Sequence, residues 1–342
     1  MAYCSPDRVL TYFDTPNFLS LTLHILTAIA IPTHIFGAYC ILFKTPARMS
    51  SVKWSLLHLH FWTCVVDLGF NLLTAPVILI PVFAGFPLGI LRFTGLSMEN
   101  QTYFMIVIIA SLGISIVGVF ENRYHVLSTD NHFWHRARIP WFIGNFGIAF
   151  FLFIPVYCEF PKDHINGKEY VLKMLPCLPE DVKSADIFLS SENPAFFMEL
   201  EAFQITVLFL QALIFCFLIN RWFNQYGTKL SSKTISMQKK LMRSLIFQLL
   251  LPLVILVFPL SYGAVSSMIG YHNQAYNNLL FIIISTHGFL STVSMIIMHQ
   301  PYRNEALRIL RCGRVNSIGD TTSGRWSMTT KAISRKNTVI LS

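Results

Sequence analysis

Seven apolar stretches, each long enough to cross a bilayer, take up about half of this 342-residue chain. They run over roughly 18–43, 55–83, 100–120, 139–158, 202–220, 241–269 and 276–298. About 20 helical residues match a hydrocarbon core about 30 Å thick. Lipid offers no partner for a backbone N–H or C=O, so a segment must satisfy its own groups as a helix. A transmembrane β-barrel would instead alternate apolar and polar residues over segments of about ten. Runs such as 106–109 and 281–284 do not alternate. The sequence therefore predicts an all-α polytopic membrane protein built as a seven-helix bundle.

Charge gives the orientation. Charged residues make up only 13% of the chain, against roughly 25% in soluble domains. Segments 44–54, 121–138, 221–243 and 299–342 hold 20 of the 26 Lys and Arg residues and only four acids. The alternate segments hold six basic residues and twelve acids. Basic loops stay cytoplasmic, which places the N-terminus outside and the tail inside. The net charge of +9 then faces anionic lipid, a membrane partner rather than nucleic acid. The expected organisation is an extracellular N-tail 1–17, a seven-span domain 18–298, a juxtamembrane amphipathic segment 299–315 and a disordered tail 316–342. Residues 1–17 carry Asp7, Arg8 and Asp14 and no apolar core, so the first span is expected to act as an uncleaved insertion signal.

The cysteines sort by side. Cys40, Cys64 and Cys216 lie in or at the ends of spans and read as small packing residues. Cys4, Cys158 and Cys177 face the oxidising side. The preferred pairing is Cys4 with Cys177, both in loops. Free thiols or a pairing through Cys158 are the alternatives.

At the inner face, Glu121, Asn122, Arg123 and Tyr124 close the third span. An Arg at a helix end can pair with a neighbouring acid in one state and reach another partner in a second. Pro301 and Tyr302 follow the seventh span, where the missing proline N–H bends the chain. Beyond them, Leu307, Ile309 and Leu310 alternate with Arg303, Arg308, Arg311 and Arg314, the pattern of a helix lying on the inner leaflet. Cys312 at its end is a lipidation candidate. Residues 229–243, with Lys239, Lys240 and Arg243, run into the sixth span and read as a docking surface for an acidic partner or as a contact with lipid headgroups.

Within the membrane, Asp67 is the one formal charge near mid-span. An acid there costs about 2.5–3.5 kcal/mol on insertion scales, so it is expected to face a polar cluster. The candidates are Ser111, Ser115, Asn278, Ser285 and His287. Asp67→Asn is expected to alter signalling more than folding. Pro76 and Pro81 in the second span, and Pro252 and Pro259 in the sixth, are expected to kink their helices. The histidines suggest no metal site: His58 and His60 fall on different helix faces, and His24, His34 and His287 stand isolated. No phosphate loop or HExxH is present, and nothing points to an enzyme or a cofactor.

These residues resemble the nematode serpentine receptor class H family. The resemblance is carried by Tyr3 to Pro6, Phe36 to Cys40, Lys44 to Pro46 and Val52 to Leu57. It continues in Gly118 to Tyr124, Leu175 to Pro179, Asn277 and Asn278, Ser285 to Gly288 and Pro301 to Arg303. It implies a chemosensory G-protein-coupled receptor with seven helices, a heterotrimeric G protein as partner and a ligand from the environment. The chain lacks the outer third-span Cys and the Asn-Pro-x-x-Tyr of rhodopsin-like receptors, so only Arg123 and the Pro301–Tyr302 region map by position. The expected ligand is a small molecule bound between outer halves of the spans. Depth nominates Tyr103, Phe104, Gln204, Tyr262, Met268 and Tyr276 as walls. The expected location is the plasma membrane of sensory-neuron cilia, with arrestin as a further partner of the tail. The competing readings are a receptor for an endogenous peptide or metabolite, a ligand-gated channel with inverted topology, and a transporter.

Overall fold

The computed structural model describes residues 3–5, 7–128, 131–161, 164–191, 195–226 and 232–316. The first predicted span is α1 (Pro16–Phe43), capped by the Thr15 hydroxyl, which accepts from the Phe18 N–H. The second begins as α2 (Ser50–Leu68) and widens into one π turn over Gly69–Leu73. The third is α3 (Met98–Leu127). The fourth is α4 (His132–Phe151), extended by α5 (Ile154–Glu159). The fifth is α8 (Ala195–Tyr226), and the sixth lies within α9 (Ser232–Ile269). The seventh is split into α10 (Gln274–Ser285) and α11 (His287–Met298). Among the described residues, six of these units are long and apolar enough to cross a membrane. α9 is 38 residues long and runs unbroken past Pro252 and Pro259.

α3 is the centre of the bundle. In its apolar window 67% of residues are buried, against 22–44% in the other five. Lipid removes the hydrophobic drive between helices, so close packing of small residues holds them together. Gly118 fits this: an added Cβ would press on the Phe142 ring of α4 at 3.1 Å.

The second span does not continue to residue 83, a correction to the sequence reading. Pro76 has no N–H to donate and its ring disfavours a helical preceding residue. Ala75 accordingly turns to φ 41°, and Pro76 opens a strand. β1 (Pro76–Leu79) pairs antiparallel with β2 (Ala84–Pro87), which pairs with β3 (Phe188–Leu189). Pro81 sits in the β1–β2 turn rather than in a kinked helix.

The segment 159–201 is correspondingly a built cap. It forms α6 (His164–Met174), α7 (Glu180–Ser184), β3 and the start of α8. Val171, Leu175, Leu178 and Val182 share one apolar cluster with Val77, Leu79 and Phe86 of the hairpin. Cys4 is disulfide-bonded to Cys177 with their Cα atoms 5.9 Å apart, and the Tyr3 N–H donates to the Met174 carbonyl. Asp14 anchors the same N-terminal segment. Its carboxylate takes the Arg8 guanidinium at 2.8 Å and the Ala275 N–H at 3.0 Å, in the first turn of α10.

At the opposite end, α12 (Gln300–Asn316) leaves the bundle. The bend falls at His299, whose backbone is extended, so Pro301 lies in the first turn of α12. A missing N–H costs nothing there. Leu307, Ile309 and Leu310 are exposed along it.

Candidate functional site

Three polar constellations sit in this frame: one in the middle of the bundle and one at each end.

The middle one is organised by Asp67, which is 2% exposed. Its Oδ2 accepts from His34 Nε2 at 3.0 Å. Its Oδ1 lies 3.2 Å from His287 Nδ1 and accepts the Gly288 backbone N–H at 3.0 Å. Gly288 is in the first turn of α11, where N–H groups have no intrahelical partner. The positive end of the helix dipole adds to that attraction. Asp67 thus caps a helix from a different span. One turn on, Asn71 Nδ2 donates to the Ser285 carbonyl at 3.2 Å, at the end of α10. Asp67 and Asn71 share a face of the second span and hold both loose ends of the broken seventh.

Of the partners expected for Asp67, only His287 reaches it. Ser111 and Ser115 each donate to the carbonyl four residues back, at 2.8 Å. Asn278 bonds Gln274 and the Phe13 carbonyl. Ser285 contributes its carbonyl to Asn71 rather than a bond to Asp67. His34 and His287 are not isolated, as spacing along the chain suggested. His34 also meets the Thr292 hydroxyl at 2.9 Å through Nδ1. A single sequence carries no signal for partners 33 and 220 positions away.

The second constellation closes the α12 end. Glu121 is fully buried, but it does not pair with Arg123. Trp134 Nε1 donates to its Oε1 at 3.0 Å and Arg138 Nε to its Oε2 at 3.1 Å, both from α4. Arg138 also donates to Asn122 Oδ1 at 2.9 Å. The acid–arginine lock inside the tetrapeptide is therefore absent, because α4 has taken the acid. Arg123 is 3% exposed, and its Nε and Nη2 have no acceptor among the described residues. Tyr124 Oη accepts from Asn131 Nδ2 at 3.1 Å.

Tyr302 is fully buried and out of reach of any partner in this state. Its hydroxyl lies 2.7 Å from Thr45 Oγ1 and its ring stacks on His299. It anchors α12 to the end of α1. Glu305 adds to that anchor through Lys44 at 3.2 Å, and is held in place by Arg308 of the same helix at 2.7 Å. The Arg308 hydrogen bond, then Lys44, holds the Glu305 carboxyl down at about 2. Arg243 is exposed on α9. The expectations for Lys239, Lys240 and Cys312 concern side chains outside the described ones, as does the tail beyond 316.

The third constellation is a cavity of about 650 Å³ at the disulfide end. Its walls include Asn17, Phe86, Arg92, Gln101, Asp181 and Asp186. Gln101 Nε2 donates to the Leu96 carbonyl at 2.9 Å, which fixes its amide. Its buried Oε1 is left without a donor among the described residues. The volume suits a small molecule.

The walls nominated by depth fare unevenly. Tyr103 and Gln204 are buried, and Tyr262 is half-buried. The Tyr103 hydroxyl is already committed to the Phe150 carbonyl at 2.6 Å. Phe104, Met268 and Tyr276 are 47%, 85% and 51% exposed and line neither this cavity nor a groove between α1 and α2. Depth along a helix does not fix rotation about its axis. The signal for Gln101 was partial: Met105, four residues on and on the same helix face, is buried, whereas Phe104, three residues on, is exposed.

A broken-helix bundle with a capped end and an amphipathic exit helix defines a multi-pass membrane protein of serpentine type. Over residues 14–312 the chain matches the family model described as Serpentine type 7TM GPCR chemoreceptor Srh, and it belongs to that family. A relative, Serpentine receptor class H-72 of Caenorhabditis elegans, is 25% identical over 311 residues. That alignment covers 88% of this chain and 87% of the relative. The resemblance carried by the sequence motifs is thus matched over nearly the whole length.

Proposed function

We propose that this receptor binds an extracellular small molecule and activates a heterotrimeric G protein across the plasma membrane, at sensory-neuron cilia. The observation that carries the reading is Arg123. Guanidinium N–H groups buried without acceptors among the described residues, as at Nε and Nη2 of Arg123, lose several kcal/mol of solvation. The resting bundle keeps that cost at the end where α3, α9 and α12 meet solvent. A partner that supplies carbonyl or carboxylate oxygens there recovers it. The neighbouring acid cannot compete, because Arg138 and Trp134 already hold Glu121.

Ligand binding is assigned to the cavity at the disulfide end, in place of the exposed Phe104, Met268 and Tyr276. The carboxylates of Asp181 and Asp186 in its wall and the unmatched Gln101 Oε1 favour a ligand that donates hydrogen bonds, with Arg92 also in the wall. The same acids keep a cationic endogenous peptide or metabolite as the second reading. Ligand then acts by differential affinity for the conformer that opens at the Arg123 end. The exposed apolar stripe of α12 rests on the inner leaflet, and the tail is the site for arrestin.

Epitope tags at the two ends test the orientation that this reading needs. On intact cells the N-terminal tag is expected to stain and the C-terminal tag only after permeabilisation. The reverse pattern supports the inverted channel and overturns the receptor reading.

A further inference from the structure

A groove of about 690 Å³ runs between α1 and α2, halfway along both helices. Its walls are apolar, with Ile35, Trp54 and Phe61 among them, except where His34, His58, His60 and Cys64 line it. We propose that His34, His60 and Cys64 form a zinc site bridging α1 and α2, with Asp67 behind it.

The geometry is that of a ligand set. His60 and Cys64 are four residues apart and share one face of α2. His60 Nε2 and Cys64 Sγ are 3.6 Å apart. Zn–N distances of about 2.0–2.1 Å and Zn–S of about 2.3 Å place such a pair about 3.5 Å apart on a tetrahedron. One ligand atom from each of His34, His60 and Cys64 lies within 4.8 Å of the others.

The surroundings complete the pattern. A metal-bound imidazole gives its second nitrogen to a carboxylate, which fixes the ring. His34 Nε2 already bonds Asp67 Oδ2 at 3.0 Å. Its Nδ1 then turns from the Thr292 hydroxyl to the ion, and His60 exchanges its bond to the His34 carbonyl for coordination. Binding replaces the Cys64 thiol proton by the metal and releases that proton to solvent. Thiolate and Asp67 carboxylate together cancel the two positive charges, which a low-dielectric site requires. The nitrogen and sulfur donors exclude magnesium and calcium. Spacing along α2 alone hides this site, because the third ligand comes from α1.

Cobalt(II) reports it without any signalling assay. Full-length, tag-free receptor in lipid nanodiscs is titrated with cobalt. The expected result is one equivalent bound, with water as the fourth ligand, thiolate-to-cobalt charge transfer and visible bands of a tetrahedral ion, both displaced by zinc. Cys64→Ser is expected to abolish the charge-transfer band, while Cys216→Ser keeps it. Asp67→Asn is expected to weaken zinc binding about 10–100-fold, the usual effect of losing such a carboxylate. Monodisperse receptor that gives no band, or a band unchanged in Cys64→Ser, overturns the proposal.

Discussion

Replacing Gly288 by Ala tests the capping of the broken seventh span. The new methyl would overlap the Asp67 carboxyl group. That carboxyl cannot retreat, because His34, His287 and the Gly288 N–H hold it from three sides. Overpacking of this kind costs about 1–3 kcal/mol. Losing a backbone hydrogen bond to a charged group adds about 1.5–3 kcal/mol. Alanine recovers at most about 1 kcal/mol through its helix propensity. The net expectation is destabilisation by about 2–5 kcal/mol, a fall in Tm of roughly 4–10 °C at about 2 °C per kcal/mol. Thermal unfolding of receptor in nanodiscs reads it. The cause is isolated by a double-mutant cycle with Asp67→Ala, in which the second substitution at Gly288 should cost little. An equal penalty with and without the Asp67 side chain would refute the capping argument.

Other substitutions separate the remaining contacts. Arg138→Ala strips the cation from buried Glu121 and is expected to cost about 2–3 kcal/mol in thermal unfolding, below the full price of a buried pair because Arg138 is partly exposed. Serine at Cys4 or at Cys177 should lower stability by the same 2–4 kcal/mol, roughly, with no further loss in the double variant. His272 gives the pH dependence. Its Nδ1–H donates to the Ile80 carbonyl at 2.6 Å, and burial pushes its pKa down to about 4. The unfolded chain binds this proton first, so stability is complete above about pH 6.5 and falls as pH drops toward 4, by about 3 kcal/mol. Unfolding melts across that range should show the slope, and His272→Gln should flatten it.

The sequence made the spans legible because in lipid an apolar run and a helix are the same thing. α1 begins at Pro16 where 18 was expected, and α3 at Met98 where 100 was expected. Apolarity does not say where such a run stops being helical. Pro76 ends the second helix and opens a strand of the same hydrophobicity, and the break at Thr286 lies within an apolar run. Asp67 was recognisable as a residue needing partners. Which partners depended on contacts between spans, so His34, Gly288 and Thr292 were invisible. The cap was obscured because α6, α7 and β3 are short and polar outside, and they order against the hairpin rather than alone. At the α12 end the tetrapeptide marked the right place. It could not show that α4 takes Glu121 and leaves Arg123 Nε and Nη2 without acceptors among the described residues.

Arg123, whose Nε and Nη2 lack acceptors among the described residues, is the centre of the functional account, and guanine-nucleotide exchange tests it most directly. Receptor in nanodiscs is mixed with a panel of G-protein heterotrimers, and basal exchange is compared between the wild type and Arg123→Ala. The account predicts that Arg123→Ala abolishes receptor-dependent exchange while its Tm stays equal to or above that of the wild type, since buried N–H groups without acceptors have been removed. Exchange retained in well-folded Arg123→Ala receptor would contradict it.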